Sequence, residues 1–130
     1  MNNQQGEMAW LDLSVDNAEQ VSEFYQSVLG WQVQEVSMGD YADYAMVNAA
    51  TGEPVAGVCH AKGANQDMPP SWLPYFLVED INLAVTQVTA SGGSLVTEVK
   101  SMGNDRYVVI KDPAGALCAI YQKAESKSSA

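Results

Sequence analysis

The sequence predicts an α+β fold made of two βαβββ repeats, and three observations carry that prediction. Shifting the chain against itself by 63 residues, without a gap, gives eight identities in the 51 pairs from Trp10/Leu73 to His60/Lys123, where chance gives about three. They are Val15/Val78, Gly30/Gly93, Val33/Val96, Glu35/Glu98, Val36/Val99, Tyr44/Tyr107, Gly52/Gly115 and Ala56/Ala119. Both copies also pass through the same order of strand-like and helix-like patterns. Finally, 130 residues that are 47% hydrophobic and 17% charged suffice for one domain with a buried core, and exclude a disordered segment.

In the first copy Trp10 to Val15 alternates as a strand, and Asp16-Asn17 follows as a cap pair. Ala18, Val21, Phe24, Tyr25, Val28 and Leu29 then recur at helical spacing, and Gly30 ends the helix as the residue after its last turn. Trp31 to Val36, Tyr44 to Val47 and Val55 to His60 are the remaining strands, the last two joined by a turn at Thr51-Gly52. In the second copy Pro74 to Val78 is a strand, and Asp80 caps a helix that turns Ile81, Ala84, Val85 and Val88 inward. Gly92-Gly93 stops that helix. Leu95 to Val99, Tyr107 to Ile110 and Ala116 to Tyr121 complete the copy, with a type I turn at Asp112-Pro113-Ala114-Gly115. Residues 61–71 read as a linker, Ser101 to Arg106 as a mobile loop, and 123–130 as a flexible tail. A single domain over 8–122, made of repeats 8–62 and 71–122, is the expected organisation.

Sixteen acidic against six basic residues give a net charge of −10, which repels phosphate backbones and anionic bilayers. Nucleic acid and membrane are therefore excluded as expected partners. No apolar window approaches the roughly 20 residues a bilayer span needs, and the first residues carry no secretory pattern, so the expected compartment is the cytoplasm. Cys59 and Cys118, the only two cysteines, lack metal or redox spacing and read as reduced, buried thiols.

Strand phase assigns faces. Leu11, Leu13 and Val15 pack beneath the first helix, which leaves Trp10, Asp12 and Ser14 on the opposite face. Likewise Phe76 and Val78 go under the second helix and leave Leu73, Tyr75 and Leu77 opposite. A second face rich in Trp, Tyr and Leu lines a cleft or an interface rather than open water.

Several short motifs sit in register with the repeat: Phe24-Tyr25 with Leu29-Gly30-Trp31, Trp72 to Asp80 with Val78-Glu79-Asp80, Gly92-Gly93, and Asp112-Pro113-Ala114-Gly115. Together they resemble the vicinal oxygen chelate superfamily of glyoxalase I, bleomycin resistance proteins and extradiol dioxygenases, over about residues 8 to 122. The resemblance implies curled mixed sheets around a cleft, often within a homodimer. In metal-using members the first strand of each half carries a His or Gln ligand and the last strand a Glu. Carried onto this sequence, those positions are Trp10, Leu73, Ala119 and, through the 63-residue shift, Ala56. None offers a lone pair for a divalent cation. The departure points to a metal-independent branch, with no cofactor and a small-molecule ligand as partner.

The candidate ligand-binding residues are Trp10, Asp12, His60, Trp72, Tyr75 and Tyr121. Asp12 between aromatic walls would attract a cationic or amine-bearing molecule. Trp10, Tyr75 and Tyr121 fall on cleft-facing phases, with Trp72 at a strand entrance; dimer contacts explain the same residues equally well. His60, the one histidine, sits by phase on the side of Ala56, and reads either as a cleft-rim acid or base or as a solvated strand end. The expected function is glyoxalase- or bleomycin-resistance-like binding of a small aromatic or cationic molecule in a metal-free cleft. The alternatives are a metal-dependent lyase, isomerase or dioxygenase with non-standard ligands, and a structural dimer whose cleft is filled by its own side chains.

Overall fold

The computed structural model describes residues 5–62, 66 and 68–124. They form two compact units: one of Trp10–Trp72, the other of Leu73 onward together with the residues before Trp10. Both are α+β and follow the βαβββ course. Of the expected tail, residues 125–130 lie outside the described part, as do 63–65 and 67 of the expected linker.

In the first unit β1 (Met8–Val15) is followed by α1 (Ala18–Leu29), β2 (Gln32–Ser37), β3 (Ala42–Val47) and β4 (Pro54–His60). The strands lie in the order β2-β3-β4-β1, antiparallel except for β1 beside β4. That parallel pair is what a crossover through a helix permits. Ala18, Met46, Ala56 and Val58 are fully buried between sheet and helix, with Leu11, Val15, Val21 and Tyr25 packed against them. The helix ends at Gly30, whose φ of 73° is the left-handed conformation glycine adopts without penalty. Its start departs from expectation. Asn17 stands at the cap position but makes no capping bond, and its amide donates to Gln20 Oε1 instead.

The second unit holds β5 (Trp72–Leu77), α2 (Ile81–Ala90), β6 (Ser94–Leu95), β7 (Lys100–Met102), β8 (Asp105–Lys111) and β9 (Leu117–Gln122). The order is β5-β9-β8-β6, with β7 also on β8 and β5 parallel to β9. Ahead of the first copy, Glu7 and Gly6 pair with Leu77 of β5. Ile81, Val108 and Ile120 form the core with Val78, Ala84, Val85 and Val88 around them. Asp80 does cap α2, accepting from the main-chain N–H groups of Asn82 and Leu83. The turn at Asp112 closes with Gly115 N–H on its carbonyl, and its carboxylate takes the N–H groups of Ala114 and Ala116.

Two expectations fail here for one reason. The strand expected over Leu95–Val99 breaks after Leu95, because the Val96 and Thr97 N–H groups both turn to the Val109 carbonyl while Thr97 Oγ1 accepts from Val109 N–H. A hydroxyl thus takes a main-chain place in the ladder and produces a bulge. The chain re-enters the sheet as β7, so Ser101–Arg106 is not a loose loop but a hairpin turning at Gly103-Asn104, with Met102 opposite Asp105. Gly103 has φ 62°, as such a tight turn requires.

Candidate functional site

The phases of β1 hold. Leu11 and Val15 meet the α1 core, so Trp10, Asp12 and Ser14 occupy the other face. Register places Asp12 opposite Gly57 and Ser14 opposite Cys59, while on the far side of β4 Ala45 is opposite Gly57. The Trp10 indole N–H donates to Asp12 Oδ1 at 2.5 Å. A Cβ on Gly57 would collide with the Asp12 carboxylate and stand 3.5 Å from Trp10 Nε1. The missing side chain is therefore what lets the carboxylate lie against β4 with the indole clasped to it.

Cys59 lies on this face between two carboxylates. Burial, then the charges of Asp12 and Asp43, push its thiol far above the usual range, and the Asp43 side chain holds it by a hydrogen bond. A thiol so placed is protonated and a poor nucleophile. Cys118 is also free and shifted up, chiefly by burial.

The structure corrects the register used to place His60 and the fourth metal-ligand position. Asp12 matches Tyr75 at a spacing of 63, but their β4 and β9 partners, Gly57 and Ala119, are only 62 apart. The residue equivalent to Ala119 is thus Gly57, and Ala56 is buried on the helix side. His60 accordingly does not share a face with Trp10 through Ala56. It lies at the end of β4 beside Asp43, whose carboxylate accepts the His60 main-chain N–H at 2.8 Å and stands 3.4 Å from Nδ1. Tyr41 and Tyr44 flank the imidazole at 5.5 and 6.0 Å between ring centres.

In the second unit Tyr75, Tyr107 and Tyr121 form one aromatic face, with Tyr75 at 5.9 Å from Tyr107 and 6.2 Å from Tyr121. The Tyr121 hydroxyl donates to Asp105, and burial first, then that carboxylate, push the phenol well above its ordinary range. Trp72 does not join any of these. Its indole donates to the Tyr25 hydroxyl at 3.1 Å and its ring packs with Tyr25 and Trp31 on the α1 side. A groove of about 640 Å³ beside α2, lined by Glu79, Asp80, Leu83, Ala84, Gln87 and Val88 among others, includes none of the sequence-predicted site residues.

Three groupings result: Trp10 with Asp12, His60 with Asp43, and Tyr75 with Tyr121. Asp43 and Gly57 escaped the sequence reading. Asp43 had one signal, a carboxylate inside an otherwise apolar strand, while Gly57 had none without the register. The four superfamily ligand positions, Trp10, Leu73, Gly57 and Ala119, carry indole, isobutyl, hydrogen and methyl, a set that does not fit a divalent cation. Among the described residues no group of three or more His, Cys, Asp or Glu could hold a metal ion, and no helix is long and apolar enough to cross a membrane.

Two βαβββ units, each closing its sheet with a parallel pair of strands, define the class of fold. The chain belongs to the glyoxalase/bleomycin resistance protein/dioxygenase superfamily, whose family model matches residues 7–120. It is 31% identical over 121 residues to the Mycobacterium bovis protein CFP32, which is named as a glyoxylase, covering 91% of this chain and 46% of that one. It is 29% identical over 131 residues to the anthracycline biosynthesis protein DnrV of Streptomyces peucetius, covering 91% and 47%. The chain thus spans about half the length of these relatives. In fold it is similar to methylmalonyl-CoA epimerase from Mycobacterium tuberculosis, with TM-score 0.57 and 15% identity over 96% of this chain and 93% of that one.

Proposed function

We propose that the chain binds a small aromatic or cationic molecule through Trp10 and Asp12, without a metal, within the expected cleft and as a homodimer. The observation that carries this reading is the Asp12 carboxylate clasped by the Trp10 indole over Gly57. A carboxylate beside an aromatic ring attracts an ammonium by charge and by cation–π attraction, and the chain's charge of −10 concentrates cations around it.

The likeness to an anthracycline biosynthesis protein suggests a probe with both features, since doxorubicin joins a fused aromatic system to an amino sugar. Titration should quench tryptophan fluorescence saturably. Asp12→Asn should weaken binding about fivefold, the equivalent of roughly 1 kcal/mol. Equal affinity in the variant would remove Asp12 from the site.

A metal-dependent lyase, isomerase or dioxygenase is the second reading, favoured by the name of CFP32. Thermal unfolding with EDTA, and then with nickel, zinc, manganese, iron(II) or magnesium, separates the two. A site filled at 100 times its dissociation constant adds about 2.7 kcal/mol. A strong shift with one metal, reversed by EDTA, would replace the first reading with the second, and light scattering tests the dimer.

A further inference from the structure

Between Trp10 and Trp72 the sequence holds nine carboxylates but only two basic side chains, His60 and Lys62. Both meet one ring. The His60 and Tyr41 rings stand nearly perpendicular, 5.5 Å between centres, and Lys62 Nζ lies 4.8 Å from the centre of the same Tyr41 ring. Asp43, which is 8% exposed, accepts the His60 main-chain N–H and stands beside the imidazole. Nδ1 is buried and completes no hydrogen bond, although Asp43 Oδ1 is 3.4 Å away. The His60 side chain nevertheless keeps 17% exposure, and of its two ring nitrogens only Nδ1 is both buried and without a hydrogen bond.

A carboxylate facing one ring nitrogen fixes which nitrogen carries the proton. We propose that Asp43 holds His60 with its proton on Nδ1, and that Nε2 and Lys62 together bind a small aromatic acid bearing a hydroxyl group. Nε2 accepts the hydroxyl hydrogen, the Lys62 ammonium pairs with the carboxylate, and Tyr41 offers its ring to the aromatic part. The separation of 3.4 Å closes when the ligand engages, as such contacts do on complex formation. This site stands apart from the Trp10–Asp12 clasp and does not depend on it.

The single histidine gives the imidazole nitrogens unique signals. In a long-range 1H–15N spectrum at pH 8 the wild-type protein should show Nδ1 protonated and Nε2 bare; the opposite tautomer overturns the proposal. Asp43→Asn should abolish the preference, and the wild-type spectrum alone decides the tautomer if that variant fails to fold. Titration with 4-hydroxybenzoate should then move the Nε2 resonance saturably, with affinity about fivefold lower in Lys62→Gln. Benzoate, lacking the hydroxyl, should leave Nε2 unmoved. A non-saturating response, or equal affinity in Lys62→Gln, overturns the assigned ligand class.

Discussion

In the unit of Trp10–Trp72 the sheet face away from the helix carries Trp10, Asp12, Ser14 and Gly57; in the other it carries Leu73, Tyr75, Tyr107 and Tyr121. The helix-facing sides are alike, with Met46, Ala56 and Val58 under α1 and Val108 and Ile120 under α2. Both units keep the same strand order and the same parallel closing pair. The helix-facing residues and the ladders thus preserve the course of the chain, while the opposite faces diverge, one into a polar clasp and the other into stacked tyrosines. Two copies of one topology need not share one chemistry.

The largest test of that division lies on the conserved side. Ile81 is fully buried, so Ile81→Ala should cost about 2–5 kcal/mol in urea unfolding; a loss below about 1 kcal/mol would show that the α2 core is not what holds that unit. Next come two glycines. At Gly93 a Cβ would lie 2.7 Å from the Lys111 carbonyl oxygen and 3.1 Å from Val88 Cγ1, main-chain and core atoms that cannot swing away, so Gly93→Ala should cost about 1–3 kcal/mol. Gly57→Ala meets a carboxylate that can rotate. It should cost less than Gly93→Ala while breaking the Trp10–Asp12 bond and shifting tryptophan emission. Unchanged emission would mean the clasp does not depend on that glycine.

The helix caps sharpen the comparison further. Asp80→Ala should cost about 1 kcal/mol, because two N–H groups lose their acceptor, whereas Asn17→Ala should cost a few tenths. Equal losses would contradict the geometry. The smallest effect is alkaline. Cys59 and Tyr121 titrate above their ordinary values of 9.0 and 10.0, so the folded state keeps protons that the unfolded chain has already released. Their stabilisation is complete below those ordinary values and is lost as pH climbs past them. The unfolding midpoint should fall above pH 9, and Cys59→Ala should flatten the decline; an unchanged slope would mean that Cys59 is not the group responsible.

Much of this was legible in the sequence because periodicity and capping chemistry are local. Asp80, Gly30 and the Asp112 turn act within a few residues, and the alternation in β1 gave its faces directly. What escaped depended on pairing between distant strands. The ungapped repeat mapped Ala56 onto Ala119, but the β3–β4 hairpin joins Met46 to Ala56 across ten residues where β8–β9 joins Ile110 to Cys118 across eight. With a side-chain period of two, even the one-residue slip at the last strand sends a residue to the opposite face. Trp72 reads from the sequence as a pocket candidate at a strand entrance because nothing local says that its indole reaches Tyr25 on α1. The role of Asp43 is hidden from the sequence because its partners, Cys59 and His60, lie on another strand.

The bulge at Thr97 also decides what each unit offers to a stray chain. By cutting the expected strand after Leu95 it leaves β6 only two residues long on β8, while the corresponding β2 runs six residues from Gln32 to Ser37. With β7 as the other piece, three residues further along β8, the edge is broken into runs of two and three residues, each presenting too few free donors and acceptors to template another strand. One hydroxyl thus guards a border of the second unit against unwanted sheet extension, and on β2 of the first unit Glu35 is the one charged side chain that gives the same protection.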